Sequence, residues 1–318
     1  MNVTVVGCGR WGSLITWYLD RLGHCVTLYG RANSAHMQRF LVERCNDLLT
    51  LPERVMLSTS LSSLEDAEVI IVSIPSQQLR GFLGSLAPLG LKNKTVVLCM
   101  KVVEIESGKR LSEVAEECLD PSMAVAVWLG PGHVQEFYAG IPNCMVIDSR
   151  HEAVKERLIE EFSGDLIRFY YGTDLLGNEI GAAAKNVVGI AAGALDGLGL
   201  SSLKGALMSR GTREIARLIA AMGGNELSAY GLCHLGDYEA TVFSQYSHNR
   251  RFGEAWVKGE PYGLLAEGYY TVRAMMTLEK QYGVELPICR AVYEALYEKR
   301  DAREALGELF HRSLKKEF

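Results

Sequence analysis

The sequence predicts an α/β fold class: an N-terminal doubly wound parallel sheet over residues 1–172, then a C-terminal all-helical domain over residues 173–318. Three observations predict it. Short β-branched runs alternate with helical patterns over the first 150 residues. No strand signal follows residue 172, and the rest is rich in Ala, Leu, Glu and Arg at helical spacing. Strands alternating with helices build βαβ units, in which helices cover both faces of a parallel sheet. A length of 318 residues fits about two domains.

Strands are expected at residues 3–6, 25–29, 69–74, 95–99, 124–128 and 145–147, where apolar, β-branched residues run almost without interruption. A strand buried on both faces reads this way. The first helix is expected over residues 12–22, because Leu14, Ile15, Tyr18, Leu19 and Leu22 share one face. Later helices are expected to break at Gly223-Gly224, at Gly259-Glu260-Pro261 and near Pro287. Residues 180–200 form the most apolar stretch, yet they carry Lys185, Asp196 and several glycines. That predicts a buried core helix, not a membrane span.

Composition narrows the function classes. Hydrophobic residues are 48% and charged residues 22%, a balance that can bury a proper core. A net charge of -5 argues against a chain that lives on nucleic acid or on anionic membrane. Met1-Asn2-Val3-Thr4 enters a strand with no basic or apolar leader, so the expected location is cytoplasmic. The eight cysteines contain no C-x-x-C pair and read as reduced thiols. Cys233-His234 has no second ligand pair at metal spacing, so no metal is expected.

The first chemical signal is Gly7-Cys8-Gly9-Arg10-Trp11-Gly12, placed after a strand and at the opening of a helix. In that context G-x-G-x-x-G is the dinucleotide-binding loop of a Rossmann domain. Gly7 permits the tight turn, Gly9 lets main-chain N–H groups approach a pyrophosphate, and Gly12 lets the helix pack on the strand. An NAD-specific domain puts an acid about 20 residues further on, for the ribose 2′-OH. Here that stretch reads Leu28-Tyr29-Gly30-Arg31, with no acid. Arg31 suits a 2′-phosphate, so NADP is the expected cofactor, with NAD as the alternative.

In the helical half, Gly181-Ala182-Ala183-Ala184-Lys185-Asn186-Val187-Val188-Gly189 sets a lysine among small apolar residues. Desolvation brings a lysine toward neutrality and makes it a usable proton donor and acceptor. A snorkelling lysine is the structural alternative, and these residues alone leave both readings open. The first reading predicts that Lys185→Ala folds normally and loses turnover. Downstream lie Leu235-Gly236-Asp237, Thr241 and Ser247-His248-Asn249-Arg250-Arg251-Phe252-Gly253, a set of groups suited to a small polyol phosphate.

Together these residues resemble bacterial NAD(P)-dependent sn-glycerol-3-phosphate dehydrogenases. The resemblance runs from the glycine loop to about Tyr270. Its markers are the loop itself, Ile74-Pro75-Ser76, Lys101 with Glu104, Gly130-Pro131, Lys185-Asn186, Asp196-Gly197, Ser209-Arg210-Gly211, Gly236-Asp237, Asn249-Arg250-Arg251-Phe252-Gly253 and Glu267-Gly268-Tyr269. It implies reversible reduction of dihydroxyacetone phosphate to sn-glycerol 3-phosphate, supplying glycerophospholipid synthesis. Hydride comes from the nicotinamide and the proton from Lys185. It further implies substrate binding by Lys101, Gly130, Lys185, Asn186, Asp237, Thr241, Ser247, His248 and Asn249. The cofactor is expected at Gly7, Gly9, Arg10, Trp11, Gly12, Arg31, Lys101, Val134, His248 and Glu267. The expected partner is a phosphorylated small molecule, and by analogy a second copy in a homodimer.

The sequence departs from the family at Arg10, Val102, Gly132 and His248, where the family usually has Ser, Gly, a hydroxyl residue and Arg. The neighbouring Arg250 and Arg251 are expected to supply part of the missing charge. Two further readings stay open here. One is an NADP-dependent reductase of another small 2-oxo substrate, and the other a dinucleotide-binding regulator without turnover.

Overall fold

The structure, a computed structural model, describes residues 1–264 and 266–309, so the end of the expected helical domain lies outside the described residues. The chain divides into two compact units. The first comprises Met1–Lys101 and Lys109–Leu175; the second comprises Val102–Gly108 and the chain from Leu176 onward. The expected boundary at residue 172 therefore needs an amendment. The short segment after Lys101 groups with the helical unit, where Val103 is fully buried in the core.

The first unit is built from β1 (Asn2–Val6), α1 (Arg10–Arg21), β2 (Cys25–Tyr29), α2 (Ala35–Glu43), β3 (Met56–Ser58), β4 (Val69–Val72), α3 (Leu79–Ser85), β5 (Thr95–Leu98), α4 (Leu111–Cys118), β6 (Ala124–Leu129), α5 (Val134–Tyr138), β7 (Asn143–Ser149), α6 (Glu152–Phe162) and β8 (Ile167–Tyr171). The sheet order is β3-β2-β1-β4-β5-β6-β7-β8. Val3, Val5, Ile70, Ile71, Val96 and Val97 are all buried, as continuous β-branched strands covered on both faces must be. Leu14, Ile15, Tyr18 and Leu19 fasten α1 to this core.

All strand pairs are parallel except β6 with β7, so the expected all-parallel sheet holds up to β6 only. The link from Leu129 to Asn143 contains only the five-residue α5, a helix too short to carry the chain back across the sheet. The strands β3 and β8 carried no sequence signal that was read. β3 is three residues at the sheet edge, and β8 mixes buried Ile167 and Phe169 with exposed Arg168, Tyr170 and Tyr171.

The topology matters for function at β1. It lies between β2 and β4, so the winding direction reverses there. Loops leaving β1 and β4 diverge and open a crevice at their carboxyl ends, the place where open α/β sheets bind ligands.

The second unit contains α7 (Leu175–Gly197), α8 (Lys204–Ala221), α9 (His248–Val257), α10 (Glu267–Tyr282), α11 (Pro287–Tyr297) and α12 (Ala302–Glu308). As expected, α7 is the core helix, with Ala183, Ala184, Val187, Ile190 and Ala191 fully buried. Gly189, Gly193 and Gly197 share one face of α7, and α9 lies against it. A Cβ at Gly193 would stand 1.9 Å from the Arg250 carbonyl oxygen; in return, one at Gly253 would stand 2.1 Å from that of Ile190. Small residues on both helices thus bring the start of α9 beside the middle of α7. Among the described residues, no helix is long and apolar enough to cross a membrane.

Candidate active site

The glycine loop occupies the crevice at β1, and its three glycines are there for three reasons. Gly7 has φ +110°, and a Cβ on it would lie 2.1 Å from the Ser73 carbonyl oxygen in the loop after β4. A Cβ at Gly12 would lie 1.9 Å from the carbonyl oxygen of Gly7. At Gly9 a Cβ would meet nothing within 4 Å. That position leaves open space over the N-terminus of α1, which no side chain of Gly9 caps. The residues present therefore fit a dinucleotide: main-chain N–H groups and the positive end of a helix dipole face a pyrophosphate-sized space.

Around this cradle the expected cofactor residues fall as follows. Arg10 is exposed and opens α1, while Trp11 is half-buried with its ring 6.0 Å from that of Phe137. Arg31 is exposed just beyond β2, where a ribose 2′-substituent would come. Lys101 Nζ donates to the Gly130 carbonyl oxygen at 2.5 Å, which joins the ends of β5 and β6. Val134 opens α5 with its side chain buried in the unit's core. Gly132 has φ +141°, and a Cβ there would lie 2.2 Å from the Phe137 ring. Phe137 thus fills the space that a hydroxyl side chain would need.

In the helical unit, Lys185 and Asn186 project from the middle of α7. Lys185 Nζ lies 2.6 Å from Asp237 Oδ2 and donates to Thr241 Oγ1 at 2.9 Å. The lysine and aspartate side chains are 9% and 1% exposed. The lysine set among small apolar residues is buried, and it forms an ion pair with Asp237 that the Ala/Gly context did not announce. Thr241 sits in the five-residue π-turn Glu239–Phe243, a local widening that recurs at functional sites.

Asn186 Oδ1 accepts from Asn249 Nδ2 at 3.0 Å, and Asn249 Oδ1 accepts from the Gly268 amide at 2.9 Å. The start of α9 is thereby tied to α7 and to the first turn of α10, which begins at half-buried Glu267. Ser247 caps α9, its hydroxyl accepting from the Arg250 amide at 3.3 Å. His248 Nδ1 is 2.8 Å from the Tyr262 hydroxyl.

Arg250, expected to supply part of the missing charge, is already engaged. It bonds Asp196 at 2.7 Å, Glu254 at 3.1 Å and the Ser244 carbonyl at 3.1 Å, and Asp196 also pairs with Lys204 at 2.5 Å. Arg251 is exposed, with its guanidinium 5.9 Å from the Tyr262 ring centroid. Tyr262, Lys204 and the buried pair His234 and Tyr238 are not among the residues expected from the sequence. Asp196 is a marker of the resemblance, but its pairing with Lys204 is not legible there; His234, three positions before Asp237, stands out in the sequence only beside Cys233.

A switch-point glycine cradle, with a separate helical unit that buries a lysine–carboxylate pair, defines a class, the two-domain nicotinamide-dependent dehydrogenases. Two family descriptions match nearly the whole chain: NAD-dependent glycerol-3-phosphate dehydrogenase N-terminus over residues 2–155, and C-terminus over residues 174–307. The chain belongs to the NAD-dependent glycerol-3-phosphate dehydrogenase family. A glycerol-3-phosphate dehydrogenase [NAD(P)+] of Prosthecochloris aestuarii is 36% identical, over 100% of both chains. The crystal structure of glycerol-3-phosphate dehydrogenase from Coxiella burnetii has a TM-score of 0.91 at 29% identity, over 98% of this chain and 99% of that one. A ketopantoate reductase from Ralstonia eutropha, at 15% identity and TM-score 0.63 over 98% of this chain and all of its own, shares the fold alone.

Proposed function

We propose that this chain interconverts sn-glycerol 3-phosphate and dihydroxyacetone phosphate, with Lys185 as the group that gives and takes the proton on the substrate's C2 oxygen. The relatives carry that dehydrogenase activity in their names. The observation that supports the residue assignment is the buried contact of Lys185 with Asp237 and Thr241. These two acceptors aim the ammonium, and Asp237 holds its charge in a dry setting. A positioned ammonium also stabilises an alkoxide developing at C2. In the reverse direction the amine removes the hydroxyl proton, and the Asp237 carboxylate stabilises the ammonium that forms.

NADP would be held by the Gly7–Gly9–Gly12 loop, Arg10, Trp11 and Arg31, with Lys101, Val134, His248 and Glu267 as further contacts; when bound it supplies or accepts the hydride. Substrate phosphate would be met by the amide groups that open α9, together with His248 and Asn249, since a helix N-terminus favours an anion. Lys101, Gly130, Asn186, Thr241 and Ser247 complete the proposed substrate set. The setting is cytoplasmic and the product feeds glycerophospholipid synthesis; a homodimer is the proposed assembly.

The test mixes protein, NADPH and dihydroxyacetone phosphate and follows absorbance of the reduced cofactor. Rapid consumption is expected. Consumption with other 2-oxo compounds only would replace the substrate, and binding without turnover would make the chain a regulator.

A further inference from the structure

His234 and Tyr238 lie beside the proposed proton-transfer group, and nothing above uses them. Both are fully buried, at 0% exposure. His234 Nδ1 is 2.8 Å from the Gly181 carbonyl oxygen, and its Nε2 is 2.7 Å from the Tyr238 hydroxyl. A carbonyl only accepts, so Nδ1 carries a proton, and in the neutral ring Nε2 is left to accept from the Tyr238 hydroxyl. In that form each ring nitrogen has a partner. Burial supports this, since it pushes the His234 pKa down to about 4, and the nearby Lys185 charge pushes the same way.

The two ends of this contact are what give it meaning. Gly181 stands one helical turn before Lys185 on α7, so its carbonyl is the acceptor for the Lys185 amide in the helix ladder. His234 adds a second donor to that same oxygen. At the other end, the His234 carbonyl accepts from the Asp237 amide at 3.0 Å. Asp237 then reaches Lys185 Nζ. The residue at 181 has no side chain to obstruct this approach: a Cβ there would be 2.9 Å from His234 Cβ.

We propose that His234, held by Tyr238, is a positioning residue that locks the turn bearing Asp237 to the turn of α7 bearing Lys185. The charged groups acting on His234 are Lys185 and Asp237; Glu214 and Cys289 act on Tyr238. An imidazole that stays neutral at working pH holds this geometry without adding a charge beside the ammonium. Without it the Lys185–Asp237 distance is no longer set by a rigid bridge between the Asp237 turn and α7.

The proposal rests on Lys185 being the proton donor, and its test separates the two ideas. His234→Phe keeps a ring and deletes both hydrogen bonds; His234→Asn keeps a donor near the Nδ1 position; Tyr238→Phe removes a single hydroxyl. For each variant, kcat and KM for dihydroxyacetone phosphate are measured from pH 6 to 9 with saturating NADPH, with Lys185→Ala in parallel. His234→Phe is expected to lower kcat about tenfold or more, part of the roughly 100-fold or greater contribution of the acid–base group that it positions. It should also displace the pH profile of kcat, with KM altered less than about twofold. His234→Asn should recover most of kcat, and Tyr238→Phe should move the profile the same way by less. If His234→Phe does not fold, Tyr238→Phe and His234→Asn carry the test. An inactive Lys185→Ala alongside His234 and Tyr238 variants with unmoved profiles overturns the bridge alone. An active Lys185→Ala overturns the lysine assignment and the bridge with it.

Discussion

Lys185 Nζ and Asp237 Oδ2 stand 2.6 Å apart in a setting where neither side chain is more than 9% exposed. Removing one partner of a buried pair strands the other charge, at about 3–5 kcal/mol. Lys185→Ala is therefore expected to lose stability as well as turnover, which revises the sequence expectation that it folds normally. Turnover should fall about 100-fold or more. In Lys185→Ala/Asp237→Asn the stranded charge is gone, so urea unfolding should return most of the lost stability while turnover stays low. A single variant as stable as the parent would contradict the ion pair.

Arg31 is exposed just beyond β2, on a stretch without an acid. NADPH should bind more tightly than NADH, and Arg31→Ala should erase most of the difference. A charge-assisted hydrogen bond contributes about 1.5–3 kcal/mol, so the ratio of dissociation constants should change about tenfold or more. Equal titration curves for the two cofactors in the parent would refute the assignment.

His248, at a position where the resemblance implies an arginine, contacts Tyr262, while the nearby Arg250 is engaged with Asp196, Glu254 and Ser244. An arginine is charged at every accessible pH and grips phosphate with two parallel donors. His248→Arg should lower KM for dihydroxyacetone phosphate by up to about tenfold. Arg250→Met should instead lower the unfolding free energy, because its partners hold α9 in place. An unchanged KM in His248→Arg would remove position 248 from the phosphate site.

Glu214 on α8 is fully buried and accepts from the Ile288 amide at 2.8 Å and the Cys289 amide at 3.1 Å. Burial outweighs those bonds and pushes its pKa from 4.5 up to about 7. A folded pKa above the unfolded one means that the neutral acid is favoured in the fold. That contribution is complete below pH 4.5 and is lost as pH rises through 7. Glu214→Gln cannot ionise, so the stability difference between variant and parent should shift toward the variant by on the order of 3 kcal/mol from pH 4.5 to 8. A pH-independent difference in urea unfolding would show that Glu214 does not titrate in this range.

How much could be read in advance depended on how local the signal was. The glycine loop, the strand before it and the face of α1 are short-range patterns, and they appear in the structure within one or two residues of expectation. β3 was invisible because three residues at a sheet edge carry no periodicity. Val102 and Val103 group with the helical unit, and an apolar pair in the sequence does not say which core it joins. Arg250 was legible as a cation but not as one already engaged, because Asp196 is far from it in the chain.

The sequence by itself determined the alternation of elements, the dinucleotide loop and the position of a lysine amid alanines. Each depends on neighbours within one helical turn or one strand. Tertiary structure alone decided that the lysine meets Asp237 and Thr241, that Asn249 joins α7 to α10, and that His234 spans from Gly181 to Tyr238. Those contacts form where glycines of α7 leave room: Gly181 for His234, Gly189 for Thr241 and Asn249, and Gly193 with Gly253 for the backbone of α9. The four-residue spacing of Gly189, Gly193 and Gly197 marks a small-residue face on α7, but nothing local says which distant segment packs on it.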